Sequence, residues 1–137
     1  MAEQNSSEAL GENKDTSVTV SRTVSFPVKR VWQVLVTDEG AEALLGPGSH
    51  FGDKGHTWSA VDGRTGVIRT FHPLEEIRFS WRKDEYGKPS MVELRLEDQG
   101  DQTTMRVKHT NLTDTSDLEG LRARWSDALE RIESDCL

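Results

Sequence analysis

Four histidines, one cysteine and a scatter of arginines carry most of the reactive chemistry this chain could offer. His109 is the most pointed case. It lies in TTMRVKHTNL, residues 103–112, where Met105, Val107 and His109 alternate with Arg106, Lys108 and Thr110. Period-2 alternation puts the two sets on opposite faces of a strand. The charged set belongs in water, so His109 points inward with the apolar set. An inward histidine can be the polar tip of an apolar pocket, or a general base. It can equally be a core residue tied to a neighbouring backbone carbonyl or carboxylate, the usual fate of a buried polar group.

Arg22 raises the same question in SVTVSRTVSF, residues 17–26, where Val18, Val20, Val24 and Phe26 share its face. A buried guanidinium is costly unless paired. Three readings stand: it binds a ligand carboxylate, it pairs with an internal acid, or it snorkels to water from an edge position. Arg69 lies between Val67 and Phe71, but Ile68 makes the facing of that strand ambiguous.

Other chemistries find no pattern. His50, His56 and His72 lack metal-ligand spacing, and there is no cysteine cluster, so no metal site is expected. There is no G-x-S-x-G, and Cys136, the penultimate residue, is too terminal for a structured nucleophile. The glycines near 46–55 and 62–66 form no phosphate loop ahead of a helix, so no nucleotide or other cofactor is expected.

The bulk properties bound the answer further. The 137 residues fit one domain, large enough to bury roughly two-thirds of its unfolded surface. Hydrophobic residues make up 34% and charged residues 30%, and the net charge is −7. With no basic run, neither nucleic acid nor an anionic membrane is an expected partner. One cysteine allows no internal disulfide, there is no apolar signal segment, and no run of 18 apolar residues occurs. A cytoplasmic protein is the default expectation.

The elements that must position His109 can be read in order. Residues 1–16 carry four acids and one lysine and read as a disordered acidic tail. The domain then runs over 17–137. The first strand, 17–26, leads into PVKRVWQVLV, where Pro27 suits a first helical position. Val28, Val31, Trp32, Leu35 and Val36 there form the stripe of a buried helix face. Asp38 is placed to cap a second short helix, EGAEALL, stopped by Gly46-Pro47. This helix pair is not basic and so is no DNA reader.

Strands with turn chemistry between them follow: GHTWSAV, GVIRTFH, EIRFSWRK, SMVELRLE and TTMRVKHTNL. Short loops make them antiparallel neighbours in a meander. In the third of these, Ile77, Phe79 and Trp81 alternate with Arg78, Ser80 and Arg82 and face inward. A long helix ends the chain. Ser116 and Glu119 fit a capping box, and Leu118, Leu121, Trp125, Ala128, Leu129 and Ile132 hold 3/4 spacing. Its stripe must lie on the sheet. A twisted sheet cannot be filled evenly by one helix, so a pocket is expected between them.

This order resembles the helix-grip superfamily of START lipid-transfer domains, polyketide cyclases and the birch pollen allergen. Within it, the nearest likeness is to "activator of heat-shock ATPase" homologue-like domains. VSRTVSFPVKRVWQVL resembles the family's first strand and helix. DGRTGVIRTFHPLEEIRFSW resembles its paired strands, ending at Trp81. MRVKHTNL and RWSDALERIE resemble its last strand and its Trp-x-x-x-Leu helix. Trp125 follows Arg124 where the family often has Gly-Trp, and Leu44-Leu45-Gly46 stands where an aromatic is usual.

The resemblance implies an α+β helix-grip fold. Its curved antiparallel sheet of about six strands carries two short helices and a long C-terminal helix, with a cavity between. It implies a pocket for small apolar molecules, and the inward-facing residues expected to line it are Arg22, Trp58, Phe71, Phe79, Trp81, Met105, Val107, His109, Leu121 and Trp125. Plain core is the alternative role for the aromatics, and in this fold the two surfaces coincide.

Three functions are therefore open. The first is binding of a small apolar or amphipathic molecule, where burying roughly 300 Å² offers about 7 kcal/mol before binding costs. The second is a cyclase- or hydrolase-type enzyme using His109 as base. The third is a protein-interaction module of the co-chaperone kind.

Overall fold

The computed structural model describes residues 17–112 and 117–137. The tail assigned to residues 1–16, and Ser116 of the expected capping box, lie outside the described residues.

β1 (Val18–Val24) alternates Val18, Val20, Arg22 and Val24 inward against Thr19, Ser21 and Thr23 outward. Pro27 follows as an extended N-cap whose carbonyl accepts from Arg30 and Val31, so α1 (Val28–Leu35) starts one residue later than expected. Val31 and Leu35 are buried; Val36, expected on the same stripe, is the exposed C-cap. The cap of α2 (Asp38–Leu45) is Thr37 rather than Asp38: its Oγ1 accepts from Gly40 N at 3.2 Å. A threonine hydroxyl in extended backbone reaches the third residue on. That frees Asp38 and Glu39 to sit in the first turn, where the helix dipole favours acids. Gly46, at φ 123°, ends α2.

The strands β2 (Thr57–Ser59), β3 (Thr65–His72), β4 (Glu76–Trp81), β5 (Ser90–Asp98) and β6 (Thr103–Thr110) then form the meander. The six-stranded sheet has the order β1-β6-β5-β4-β3-β2, all pairs antiparallel. First and last strands are thus neighbours, with Val18 opposite His109 and Arg22 opposite Met105.

The facing of β3 is settled by a bulge. Ile68 pairs with Phe79, but Thr70 pairs with Arg78 and Phe71 with Ile77. The extra residue lets both Ile68 and Phe71 turn inward although they are three apart, and leaves Arg69 exposed.

α3 (Leu118–Arg131) is capped by Asp117, whose Oδ1 accepts from Gly120 N at 3.0 Å. It lies across the inner face of the sheet and continues into a wider π-type turn, Ile132–Cys136. Trp125, Ala128, Leu129 and Ile132 are buried with the inward residues of the strands in one core cluster, which also takes Leu44 and Leu45 of α2.

Candidate functional site

His109 sits at the centre of a polar chain that crosses the core. Its register partner on β5 is Val92, and Ser90 lies two residues further along the same inward face. β5 starts at Ser90 opposite Trp81, the last residue of β4. Trp125 arrives from above on α3.

Four groups then connect. The indole Nε1–H of Trp125 donates to His109 Nδ1 at 3.1 Å. His109 Nε2 and Ser90 Oγ are 2.6 Å apart, and Ser90 Oγ donates to the Trp81 carbonyl at 3.0 Å. Only one assignment of protons satisfies all three bonds. An indole nitrogen can only donate and a carbonyl can only accept. Nδ1 is therefore the acceptor, Nε2 carries the hydrogen and gives it to Ser90, and the hydroxyl proton goes to Trp81.

The electrostatics agree. His109 is fully buried, and burial lowers its pKa from the ordinary 6.5 to about 4. A second proton would have to sit on Nδ1, where the Trp125 N–H already points. The ring is also held edge-on between two indoles, with centroids 5.2 Å from Trp81 and 5.8 Å from Trp125.

This geometry bears on chemistry. In a nucleophile–base pair the hydroxyl donates to the imidazole lone pair. Here the Trp125 indole uses that lone pair, and the Ser90 proton is committed to a carbonyl. His109 is thus tied neither to a carboxylate nor directly to a carbonyl, as expected from sequence, but to an indole and a hydroxyl. Cys136 is no better placed, since burial raises its thiol pKa, and a thiol so held is a poor nucleophile at neutral pH.

The other sequence-assigned positions divide into three groups. Trp58, Phe79, Met105, Val107 and Trp125 are fully buried alongside His109, so their surfaces meet other side chains in the packed core. Trp58 stands edge-on to Phe79 at 5.9 Å and donates its indole N–H to Ser80 O at 3.1 Å. Phe71, Trp81 and Leu121 are partly buried and pack at the margin of that core. Arg22 is at the edge: its Nε donates to Glu133 Oε1 at 2.6 Å, with both side chains about a third exposed. The guanidinium reaches an acid in the π-type turn that follows α3, which answers the cost of its inward position without a ligand.

Sequence reasoning did not single out Ser90, Arg124 or Arg64. Ser90 was in phase with the inward residues Val92 and Leu94, which is a readable signal. Arg124 stands on the polar side of α3. Its guanidinium carbon lies 5.1 Å from the Trp125 ring and 6.0 Å from Trp81, and its Nη2 donates to Leu44 O at 3.4 Å. Among the described residues, three buried side-chain polar atoms lack a hydrogen-bond partner, and all are donors: Trp81 Nε1, Arg124 Nε and Arg64 Nη1. No group of three metal-ligating side chains occurs among the described residues, and no helix there is long and apolar enough to cross a membrane.

Residues 25–134 match the family described as Activator of Hsp90 ATPase homolog 1-like protein. The chain belongs to this family. No curated protein matches it. Among solved structures, CalU16 from Micromonospora echinospora is similar with a TM-score of 0.73 and 23% identity, over 87% of this chain and 73% of that one. MLL2253 from Mesorhizobium loti has a TM-score of 0.74 and 20% identity, over 86% and 94% of the two chains. PFC0360w, described as an Hsp90 activator from Plasmodium falciparum, has a TM-score of 0.70 and 16% identity, over 85% and 93%. At these identities the likeness is one of fold, and it agrees with the helix-grip arrangement of sheet and helices above. The fold and the family fit a ligand-binding domain, and such a fold hosts several unrelated functions.

Proposed function

We propose that this domain binds a small apolar or amphipathic molecule between the sheet and α3, at the margin of the core where Trp81 and Leu121 are only partly buried. The observation that supports the reading is the Trp81 indole N–H, closed off from water yet without a partner among the described residues. Its neighbours in the same stack, His109, Ser90 and Trp125, are all satisfied. An orphaned buried donor costs about 1–3 kcal/mol, and a ligand oxygen would relieve that cost. Apolar contact with Trp81 and Leu121 would supply the rest of the affinity. The setting we propose is the cytoplasm. His109 then shapes the wall and takes no part in a reaction, which disfavours the cyclase or hydrolase reading.

Native mass spectrometry of the purified protein tests this. A co-purifying small molecule whose removal shifts the Trp81 indole N–H resonance is the expected result. If apolar and amphipathic ligands leave both the mass and that resonance unchanged, the reading fails.

The family supports a second reading, a protein partner of the chaperone kind. Val61 and Tyr86 are 83% and 89% exposed, in the β2–β3 and β4–β5 turns at one end of the sheet. Pull-down with a purified Hsp90-type chaperone, weakened by Val61→Asp and Tyr86→Asp together, is its test. Undiminished capture by that double variant would remove this surface from the reading.

A further inference from the structure

A groove of about 380 Å³ runs outside the core, between the C-terminal end of α2, the β2–β3 turn and the outer flank of α3. Three arginines line it, Arg64 from the turn and Arg124 and Arg131 from α3, against two acids, Glu42 and Asp127. Ala43, Pro47 and Ala128 supply an apolar floor. With Asp62 and Asp135, which pair with Arg64 and Arg131, the acids around the groove outnumber its arginines by one, so what it offers an anion is unpartnered guanidinium N–H beside a surface that can cover carbon.

Its arginines are incompletely used. Arg64 gives Nη2 to Asp62, and Nη1 has no partner among the described residues. Arg124 gives Nη2 to the Leu44 carbonyl in a long 3.4 Å bond, and its Nε has no partner among the described residues. Among the described residues, Arg131 meets an acid only at Asp135, 4.0 Å away, the limit of an ion pair. Meanwhile Glu42 is partly occupied, accepting from Gly48 N at 2.8 Å. Two of the three unpartnered buried donors among the described residues thus belong to the guanidinium groups of this one groove. Guanidinium donors of this kind match a planar carboxylate best, in forked hydrogen bonds. With acids this near, a second negative charge on the ligand is repelled, so a monoanion suits the groove better than a phosphate dianion.

We propose that this groove binds the carboxylate of a small amphipathic acid, with Arg64 and Arg124 as the anion-binding pair and the Ala43–Pro47–Ala128 floor covering its carbon chain. The two donors are closed to solvent without ligand. The long bond to Leu44 is therefore the one that yields as the Arg124 guanidinium turns toward the acid. Arg124, whose guanidinium carbon is 6.0 Å from the Trp81 ring, borders both this groove and the Trp81 margin, but the groove lies outside the core and binding at either does not require the other.

The test is a titration of the full chain with octanoate, octanamide and inorganic phosphate, followed by arginine Nε–H and tryptophan indole N–H resonances. Octanoate is expected to shift the Arg64 and Arg124 signals and to bind about tenfold more tightly than octanamide, as a charge-assisted pair implies. Arg64→Gln and Arg124→Gln should each erase most of that preference. Asp127→Asn, which removes a competing negative charge and touches no core residue, should raise the preference. Equal binding of octanoate and octanamide would overturn the proposal. So would phosphate displacing octanoate at equal concentration, or an octanoate response confined to the Trp81 indole. That last result would leave the Trp81 reading intact and sink only this one.

Discussion

Trp125 on α3 and His109 on β6 are joined by a 3.1 Å hydrogen bond from the indole Nε1–H to the imidazole Nδ1. The gripping helix is thereby attached to the last strand through the lone pair that a general base would need. Nitrogen-15 spectra of the imidazole should show a single neutral tautomer with the hydrogen on Nε2. Ser90→Ala removes the acceptor of that hydrogen and the donor to the Trp81 carbonyl. Two buried groups lose partners, so urea unfolding should register a loss of about 2–4 kcal/mol. A loss under about 0.5 kcal/mol, or a tautomer with the hydrogen on Nδ1, would refute the chain of bonds.

The same histidine should make stability depend on pH. Its folded pKa, about 4, lies below the ordinary 6.5 because burial penalises the charged ring. Between those values the unfolded chain binds a proton that the folded chain does not, so stability rises with pH across this window. Its contribution is complete above pH 6.5 and is lost as pH falls toward 4. The full difference is about 3 kcal/mol at 1.36 kcal/mol per pH unit. His109→Gln can still accept from one neighbour and donate to another, and it should flatten the slope between pH 5 and 6.5. An unchanged slope in that variant would assign the effect to other groups.

The histidine's inward face was legible because period-2 alternation depends only on neighbours in sequence, and so were the six strands and the stripe of α3. Its partners were not. Ser90 is 19 residues away and Trp125 is 16, and their meeting depends on strand register and on where α3 crosses the sheet. Glu133, which answers Arg22, is 111 residues distant. The bulge in β3 was visible only as an ambiguity, because Ile68 and Phe71 broke the alternation without saying where the extra residue sat. The cap of α2 slipped by one residue, to Thr37, because the neighbouring Thr-Asp pair offers two capping oxygens.

Gly66 should tolerate no side chain. A Cβ there would lie 1.8 Å from the Ser80 carbonyl oxygen and 2.6 Å from Trp58 Nε1, the two ends of the bond that holds Trp58 on Phe79. Neither can yield without opening the β3–β4 junction. Gly66→Ala should therefore cost about 3 kcal/mol or more. Gly63→Ala makes a useful contrast: its Cβ meets nothing within 4 Å, and only the φ of 101° is unfavourable. It should cost about 1 kcal/mol, the ordinary penalty of left-handed backbone. Thermal unfolding of both variants decides this, and equal losses would mean that crowding at Gly66 is not the cause.

The ion pair of Arg22 with Glu133 should be weak in energy despite its short distance. Both side chains are about a third exposed, so water and salt screen the attraction. A double-mutant cycle with Arg22→Ala and Glu133→Ala should give a coupling of about 1 kcal/mol or less, smaller still at high salt. A coupling well above that, insensitive to salt, would show the pair to be desolvated and Arg22 to belong to the interior.

Three tryptophans allow one substitution to be read against three local environments. Trp58 donates its N–H to Ser80 O and Trp125 to His109 Nδ1, each at 3.1 Å, while Trp81 Nε1 is buried without a partner among the described residues. Replacement by Phe removes the N–H and one ring in every case. At Trp58 and Trp125 it also orphans a buried acceptor, so the lost packing and the broken bond add, to about 2–4 kcal/mol. At Trp81 it deletes a donor that was already unsatisfied. The relief offsets the lost packing, and Trp81→Phe should stay within about 1 kcal/mol of the parent. If Trp81 supplies the polar contact to a bound molecule, the same variant should bind that molecule severalfold less tightly while folding almost as well. A Trp81→Phe protein as unstable as the other two would mean that its indole is bonded in solution, and a variant with unchanged affinity would mean that the indole faces no ligand.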